Sequence, residues 1–228
     1  MTIDELIAGF KKTATANISD NLDRLPGFVG IRPYHRVNGT MVGRAMTIRV
    51  AAGDNLYVHK ALDQMRPGDV LVVDAEGATN RAIIGEIITT LAETRGAAGF
   101  VIDGAIRDLG TIAANEFPCF AREVTHRGPY KFGPGAINIP VTIGGQVVNP
   151  GDIVVGDEDG VLSFPVEGAE DLLSKVRAHE AREVEILMST SVQNPATRRR
   201  KTRPGGGGLR HGARAYHRAG ACHGALAP

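Results

Sequence analysis

The 228-residue chain carries 26 Lys and Arg against 25 Asp and Glu, with 43% hydrophobic and 22% charged residues, a balance that excludes disorder throughout. No run of eighteen apolar residues occurs, which argues against a membrane-spanning helix, and the acids in MTIDELIAGFKK break the order of a secretory leader, so the expected location is cytoplasmic. Two cysteines, Cys119 and Cys222, are too few for a disulfide framework or a cysteine zinc site and are read as free thiols.

Thr2 and Glu5 form a capping box, and Ile3, Leu6, Ile7 and Phe10 then recur at helical spacing, so the chain is expected to open on a helix. Ser19 is expected to cap a second short helix, stopped by Pro26-Gly27. Met46, Ile48 and Val50 alternate with Thr47 and Arg49, the pattern of a half-buried strand between Val42 and Ala52. Helix and fully apolar strand then alternate: helix near Asn55 to Gln64, strand Val70 to Asp74, helix Ala82 to Thr94, strand Gly99 to Asp103. VLVVDA and GFVID are apolar on both faces, which suits a central sheet covered by helices and an α/β fold. A short helix near Leu109 to Asn115, a strand near Pro118 to Arg122, a Gly-rich β segment and an amphipathic helix from Ala169 to about Met188 complete the expected body, with Leu172, Leu173, Val176, Val184 and Leu187 on the helix's apolar side.

The last stretch differs in composition. Residues 195 to 228 hold eight Lys and Arg and no acid, leaving the remainder at a net charge of −7. The acidic body does not suit a polyanion, whereas the basic tail could bind nucleic acid weakly. Its four consecutive glycines and lack of apolar period predict disorder, and the domain boundary is expected near 190, with residues 191–228 as the tail.

The chemistry-bearing stretch runs from Gly85 to Asp108. Ligands of open α/β sheets bind beyond the carboxyl ends of the strands. A helix starting at Gly85-Glu86 would offer the backbone amides of Glu86, Ile87 and Ile88 to an anion, and Arg107-Asp108 at the next strand end would offer a carboxylate clamp and a hard oxygen ligand for a divalent metal. The same dipeptide also suits a solvated surface pair. His59 is read as a packed or partly exposed helix residue rather than a base, His126 as a loop residue without a partner and His35 likewise, Asp103 as either a turn cap or a support for the Arg107 loop, and Asp157-Glu158-Asp159-Gly160 as a turn.

Gly85-Glu86, twenty intervening residues and Arg107-Asp108, set in TRGAAGFVIDGAIRD, together resemble the RraA-like family of ribonuclease E regulators and 4-hydroxy-4-methyl-2-oxoglutarate or 4-carboxy-4-hydroxy-2-oxoadipate aldolases. ISDNLDRL, GIRP, GDNLYVHKAL, PGDVLVVDAEG and NPGDIVVGDEDGVL extend the resemblance over about residues 10 to 188. It implies a swivelling β/β/α domain assembled as a homotrimer or a dimer of trimers, with the site at a subunit boundary. It further implies that Arg107 binds the pyruvyl part of a 2-oxo acid, that Asp108 holds Mg²⁺ or Mn²⁺, and that Gly85, Glu86, Ile87 and Ile88 complete the pocket. Two departures stand out: Glu86 occupies a position where the aldolases commonly have Asp, and Thr111 one where they tend to have an acid.

Cleavage beside a 2-oxo group leaves a pyruvate enolate, stabilised by a lysine imine or by a metal. None of Lys11, Lys12, Lys60, Lys131 and Lys175 lies in an apolar strand where desolvation would prepare it for imine formation, so a metal-stabilised enolate is expected. A water contacted by Glu86 would carry the proton, and oxaloacetate decarboxylation would be a side activity. The rival reading is a non-catalytic binder like the ribonuclease E regulators.

Overall fold

The computed structural model describes residues 1–24 and 27–193 of the chain, with side chains up to 190. Two compact units are distinguished, Met1–Glu185 and Ile186–Pro228; most of the second, with the expected basic tail and Cys222, lies outside the described residues. No described helix is long and apolar enough to cross a membrane.

The chain opens with α1 (Ile3–Phe10), and the capping box is formed: Glu5 N–H donates to Thr2 Oγ1, and Thr2 N–H to the Glu5 carboxylate. Helix α2 (Thr15–Asp20) begins earlier than the sequence suggests. Ala14 stands at its N-cap and Ser19 lies inside it, because Thr15 is anchored through both its amide and its hydroxyl to Asp157. Asp157 also accepts the amide of Asp159, so the acidic run is a turn, as expected.

The sheet forms the swivelling β/β/α architecture anticipated from the family resemblance. It contains β1 (Arg32–Pro33), β2 (Met41–Val50), β3 (Asp69–Asp74), β4 (Ala82–Ile84), β5 (Gly99–Ile106), β6 (Cys119–Val124), β7 (Gly135–Ile137), β10 (Ile153–Gly156) and β11 (Val161–Phe164). The order is β1-β6-β5-β3-β2-β10-β11, with β4 on β5 and β7 on β2, while β8 (Val141–Ile143) and β9 (Gln146–Val148) form a separate hairpin. β2, β3, β5 and β6 run parallel, and β10 and β11 extend the sheet antiparallel. β2 is not half-exposed: all but two of its residues are buried, because β3 and β10 flank it and side chains pack on both of its faces. The expected helix from Ala82 is a three-residue strand followed by α4 (Glu86–Thr94). Ala82 and Ile84 pair with the end of β5, and tertiary pairing prevails over the helical pattern.

Helices α3 (Leu56–Leu62) and α4 cover one sheet face through Val58, Ala61, Leu62, Ile88 and Ala92, packed on Leu71, Val73, Phe100 and Ile102. Helix α5 (Leu109–Ala114) follows β5. Helix α6 (Ala169–Gln193) buries Leu172, Leu173 and Val176 against Leu6 and Phe10. Its expected apolar stripe stops there, since Val184 and Leu187 are exposed. Cys119 is a buried free thiol in β6, where desolvation pushes its pKa up to about 12 and keeps it inert.

Candidate active site

β4 and β5 end side by side, and the Arg107 amide donates to the Ile84 carbonyl at 3.0 Å. This register sets the start of α4 against the loop that follows β5. Gly85 is the N-cap of α4 and has no side chain to cap it; the missing acceptor comes from Asp108, whose Oδ2 receives the Glu86 amide at 3.0 Å. A Cβ on Gly85 would sit 2.3 Å from that oxygen and 2.9 Å from Arg107 Cγ, so the approach requires glycine. Asp108 takes a left-handed conformation at φ 59°, one that Asp tolerates better than most residues, and its carboxylate thereby turns back onto α4.

The arrangement revises the expected anion site at the helix start. The Glu86 amide is spent on Asp108 and the Ile88 amide donates to the Gly85 carbonyl, so of the three expected donors only the Ile87 amide has no partner among the described residues. Arg107 holds Nε 3.7 Å from Asp108 Oδ2, lies against Gly128, and keeps both Nη groups without a hydrogen bond to any described residue. The Arg107 and Asp108 side chains are each 41% exposed, open to a ligand yet flanked by backbone.

Gly85, Ile87, Ile88, Arg107 and Asp108 line one cavity of about 210 Å³. Glu86 does not line it; its carboxylate Oε2 is 3.3 Å from Thr111 Oγ1, on the first turn of α5. The longer arm of Glu86 and the hydroxyl of Thr111, the two departures from the aldolase pattern, therefore meet each other. The cavity also takes in Asn55, which the sequence did not single out, and His59 and Lys131, which it considered and left outside the site. Asn55 and His59 are four residues apart at the start of α3 and share a helix face, a spacing that could have singled out GDNLYVHKAL. Lys131 comes from the loop after β6, and only the fold brings it here. It is exposed.

That loop is held by Asp54, which is buried and accepts the amides of Leu56, Phe132 and Gly133 at 2.9, 2.7 and 2.8 Å. Burial alone would raise the Asp54 pKa, but these amides outweigh it and hold the carboxyl below its ordinary value. A depressed folded-state pKa stabilises the fold above the unfolded-state value near ~3.9, and the contribution is lost as pH falls through the folded-state value. Asp54→Ala should therefore cost about 2 kcal/mol at neutral pH, with the gap from wild type closing below about pH 4, as urea unfolding across pH would show.

The other candidates fall outside the site. Asp103 pairs with Arg122 Nε and accepts the Gly144 amide, joining β5 to β6 and the β8–β9 turn; it does not support the Arg107 loop. His35 is buried against Phe120 and Cys119, and burial lowers its pKa. His126 is exposed.

This strand-end pocket with a paired Arg and Asp lies in a chain whose residues 15–163 match the family model for RraA-like proteins, described as Aldolase/RraA. The chain belongs to that RraA-like family. It is 44% identical over 178 residues to a Halalkalibacterium halodurans protein that carries a provisional 4-hydroxy-4-methyl-2-oxoglutarate aldolase name, covering 78% of this chain and 84% of that one. A Thermus thermophilus protein named 4-hydroxy-4-methyl-2-oxoglutarate aldolase is 36% identical over 123 residues, covering 54% of this chain and 74% of its own. Among solved structures, Streptomyces coelicolor RraAS2, titled an unusual member of the RNase ES inhibitor RraA protein family, superposes with a TM-score of 0.74 at 28% identity, over 82% of this chain and 98% of that one. The family thus joins proteins named for aldolase activity with proteins named for RNase inhibition.

Proposed function

We propose that the chain is a divalent-metal-dependent lyase that cleaves 4-hydroxy-2-oxo acids of the 4-hydroxy-4-methyl-2-oxoglutarate type to pyruvate, with oxaloacetate decarboxylation as a side activity. The observation that carries this reading is Arg107, which lines a small cavity beside a fixed carboxylate with neither Nη hydrogen-bonded to a described residue. A surface salt bridge would spend those donors on Asp108. With Lys131 also in its lining, the cavity offers two cations to a small di-acid.

The residues fit a magnesium or manganese ion. Asp108 Oδ2 is occupied by the Glu86 amide, while Oδ1 has no partner among the described residues. No group of three or more His, Cys, Asp or Glu side chains that could hold a metal occurs among the described residues. A single carboxylate oxygen in an open site suits a hard cation that keeps water and substrate oxygens in its shell, and does not suit zinc, which takes three or four protein ligands. Bound at Asp108, such an ion would polarise the 2-oxo group as a Lewis acid. Arg107 binds the pyruvyl carboxylate in two-point fashion and balances the charge that grows on the oxo oxygen as the enolate forms. The Ile87 amide is a further donor to the same oxygens, and the apolar walls from Ile83, Ile84 and Ile88 exclude water from the reacting carbons.

In the proposed assembly, a trimer or a dimer of trimers, Ile87 at 70% and Phe132 at 87% exposure would be the side chains to cover. The test is pyruvate release from a panel of 4-hydroxy-2-oxo acids and oxaloacetate with Mg²⁺ or Mn²⁺, and its suppression by EDTA. Absence of turnover throughout the panel would replace the enzyme by the protein-binding reading.

A further inference from the structure

Gly128 lines the cavity beside Arg107, and its own backbone does not demand glycine: its φ lies outside the left-handed region, and the Pro129 that follows favours extended backbone, which alanine adopts freely. What excludes a side chain there is Arg107. A Cβ on Gly128 would stand 2.9 Å from Arg107 Nη1 and 3.9 Å from Cζ, and would meet no other described atom within 4 Å beyond its chain neighbours. Non-bonded heavy atoms settle at about 3.5–4.0 Å, so one of the two partners would have to move. The loop around Gly128 is pinned. The Gly128 carbonyl accepts from Arg81 Nη1 at 3.0 Å, and Arg81 Nη2 donates to the Tyr130 hydroxyl at 2.7 Å, with the guanidinium 4.1 Å from the centre of that ring. The Arg127 carbonyl accepts the Ala82 amide at 2.8 Å, and the Tyr130 amide and carbonyl bond Gly53 and Asn55 at 2.9 and 3.0 Å. The Arg107 side chain is 41% exposed, and its one charged contact among the described residues is the 3.7 Å approach to Asp108, so it is the guanidinium that yields.

We propose that Gly128 is a positioning residue for Arg107: its bare Cα is the surface on which Arg107 Nη1 rests, and the bond from Arg81 to its carbonyl keeps that surface in place. The inference rests on the lyase reading above, in which Arg107 grips the pyruvyl carboxylate. That grip uses two parallel N–H bonds, so displacing Nη1 misaligns one of them while the charge stays in the cavity. The Gly128 carbonyl, the nearby acceptor that could spend an Arg107 donor, bonds Arg81 and makes no hydrogen bond to Arg107. Gly128 therefore sets the geometry of carboxylate recognition and leaves its electrostatics unchanged.

Gly128→Ala should lower pyruvate release by the full chain with Mg²⁺ at least about tenfold, since small misplacements of a positioning group have effects of this order or larger. Affinity for oxalate, a planar mimic of the pyruvate enolate, should fall by a similar factor in calorimetric titration with Mg²⁺, and the melting temperature should stay within about two degrees of wild type. The decisive arm is the double variant. In an Arg107→Lys background there is no Nη1 to displace, so adding Gly128→Ala should change turnover and oxalate affinity by less than about twofold. Wild-type turnover and oxalate affinity in Gly128→Ala, the same fold loss in both backgrounds, or a larger fall in melting temperature would each overturn the positioning role and leave the lyase reading standing. A wild-type chain that neither releases pyruvate nor binds oxalate would overturn the two together.

Discussion

Asp108→Ala is expected to abolish metal-dependent pyruvate formation while costing the fold only about 2–3 kcal/mol. The cost has two sources. Asp108 supplies the acceptor that α4 lacks at Gly85, and losing a helix cap costs about 1 kcal/mol. The left-handed backbone at residue 108 suits Asp better than Ala and adds about 1–2 kcal/mol. A solvated loop carboxylate would have cost almost nothing, so the capping contact changes what the sequence alone suggests for this variant. Asp108→Asn separates the two roles: it keeps the left-handed preference and an acceptor for the Glu86 amide, but loses the charge that holds a cation. It should melt close to wild type and still fail to turn over. Retained activity in both variants, measured as EDTA-sensitive pyruvate release, would remove Asp108 from the chemistry.

Arg107→Lys is the second large effect. The guanidinium offers a planar fork to a carboxylate and keeps its charge under all conditions, whereas lysine offers a point charge on a flexible stem. Turnover should fall at least about tenfold, equivalent to roughly 1.4 kcal/mol of transition-state stabilisation, with no change in melting temperature beyond a degree or two. The fold has little stake in the side chain, because its one charged contact among the described residues is the 3.7 Å approach to Asp108 at a 41% exposed position. Wild-type turnover in Arg107→Lys would mean that charge alone suffices and that the two-point grip is not used.

Most of the sheet was legible because its strands carry their own signal. VLVVDA and GFVID read as doubly buried from composition alone, and β3 and β5 are buried along their whole length. The errors arose where a distant contact prevails over local preference. Thr15 starts α2 because Asp157 holds it, and Ala82–Ile84 is a strand because β5 offers it an edge. At the site, the family resemblance singled out Gly85, Arg107 and Asp108, and the structure brings them into contact. It could not tell that Asp108 would consume the Glu86 amide, since that depends on a left-handed turn at residue 108. Asn55 and His59 were visible as a helical pair, but nothing in the sequence shows which face of α3 looks into a cavity. Lys131 reaches the wall on a loop pinned by the amides that Asp54 accepts from Phe132 and Gly133 and by the backbone bonds of Tyr130 to Gly53 and Asn55.

The most direct measurement is pyruvate release by the wild-type chain from 4-hydroxy-4-methyl-2-oxoglutarate with Mg²⁺ or Mn²⁺, followed before and after EDTA and again after the metal is restored. The account predicts turnover that EDTA stops and fresh metal revives. Pyruvate formation that EDTA leaves untouched would contradict the role of Asp108 as a metal-holding carboxylate, and no pyruvate with either ion would contradict the lyase itself.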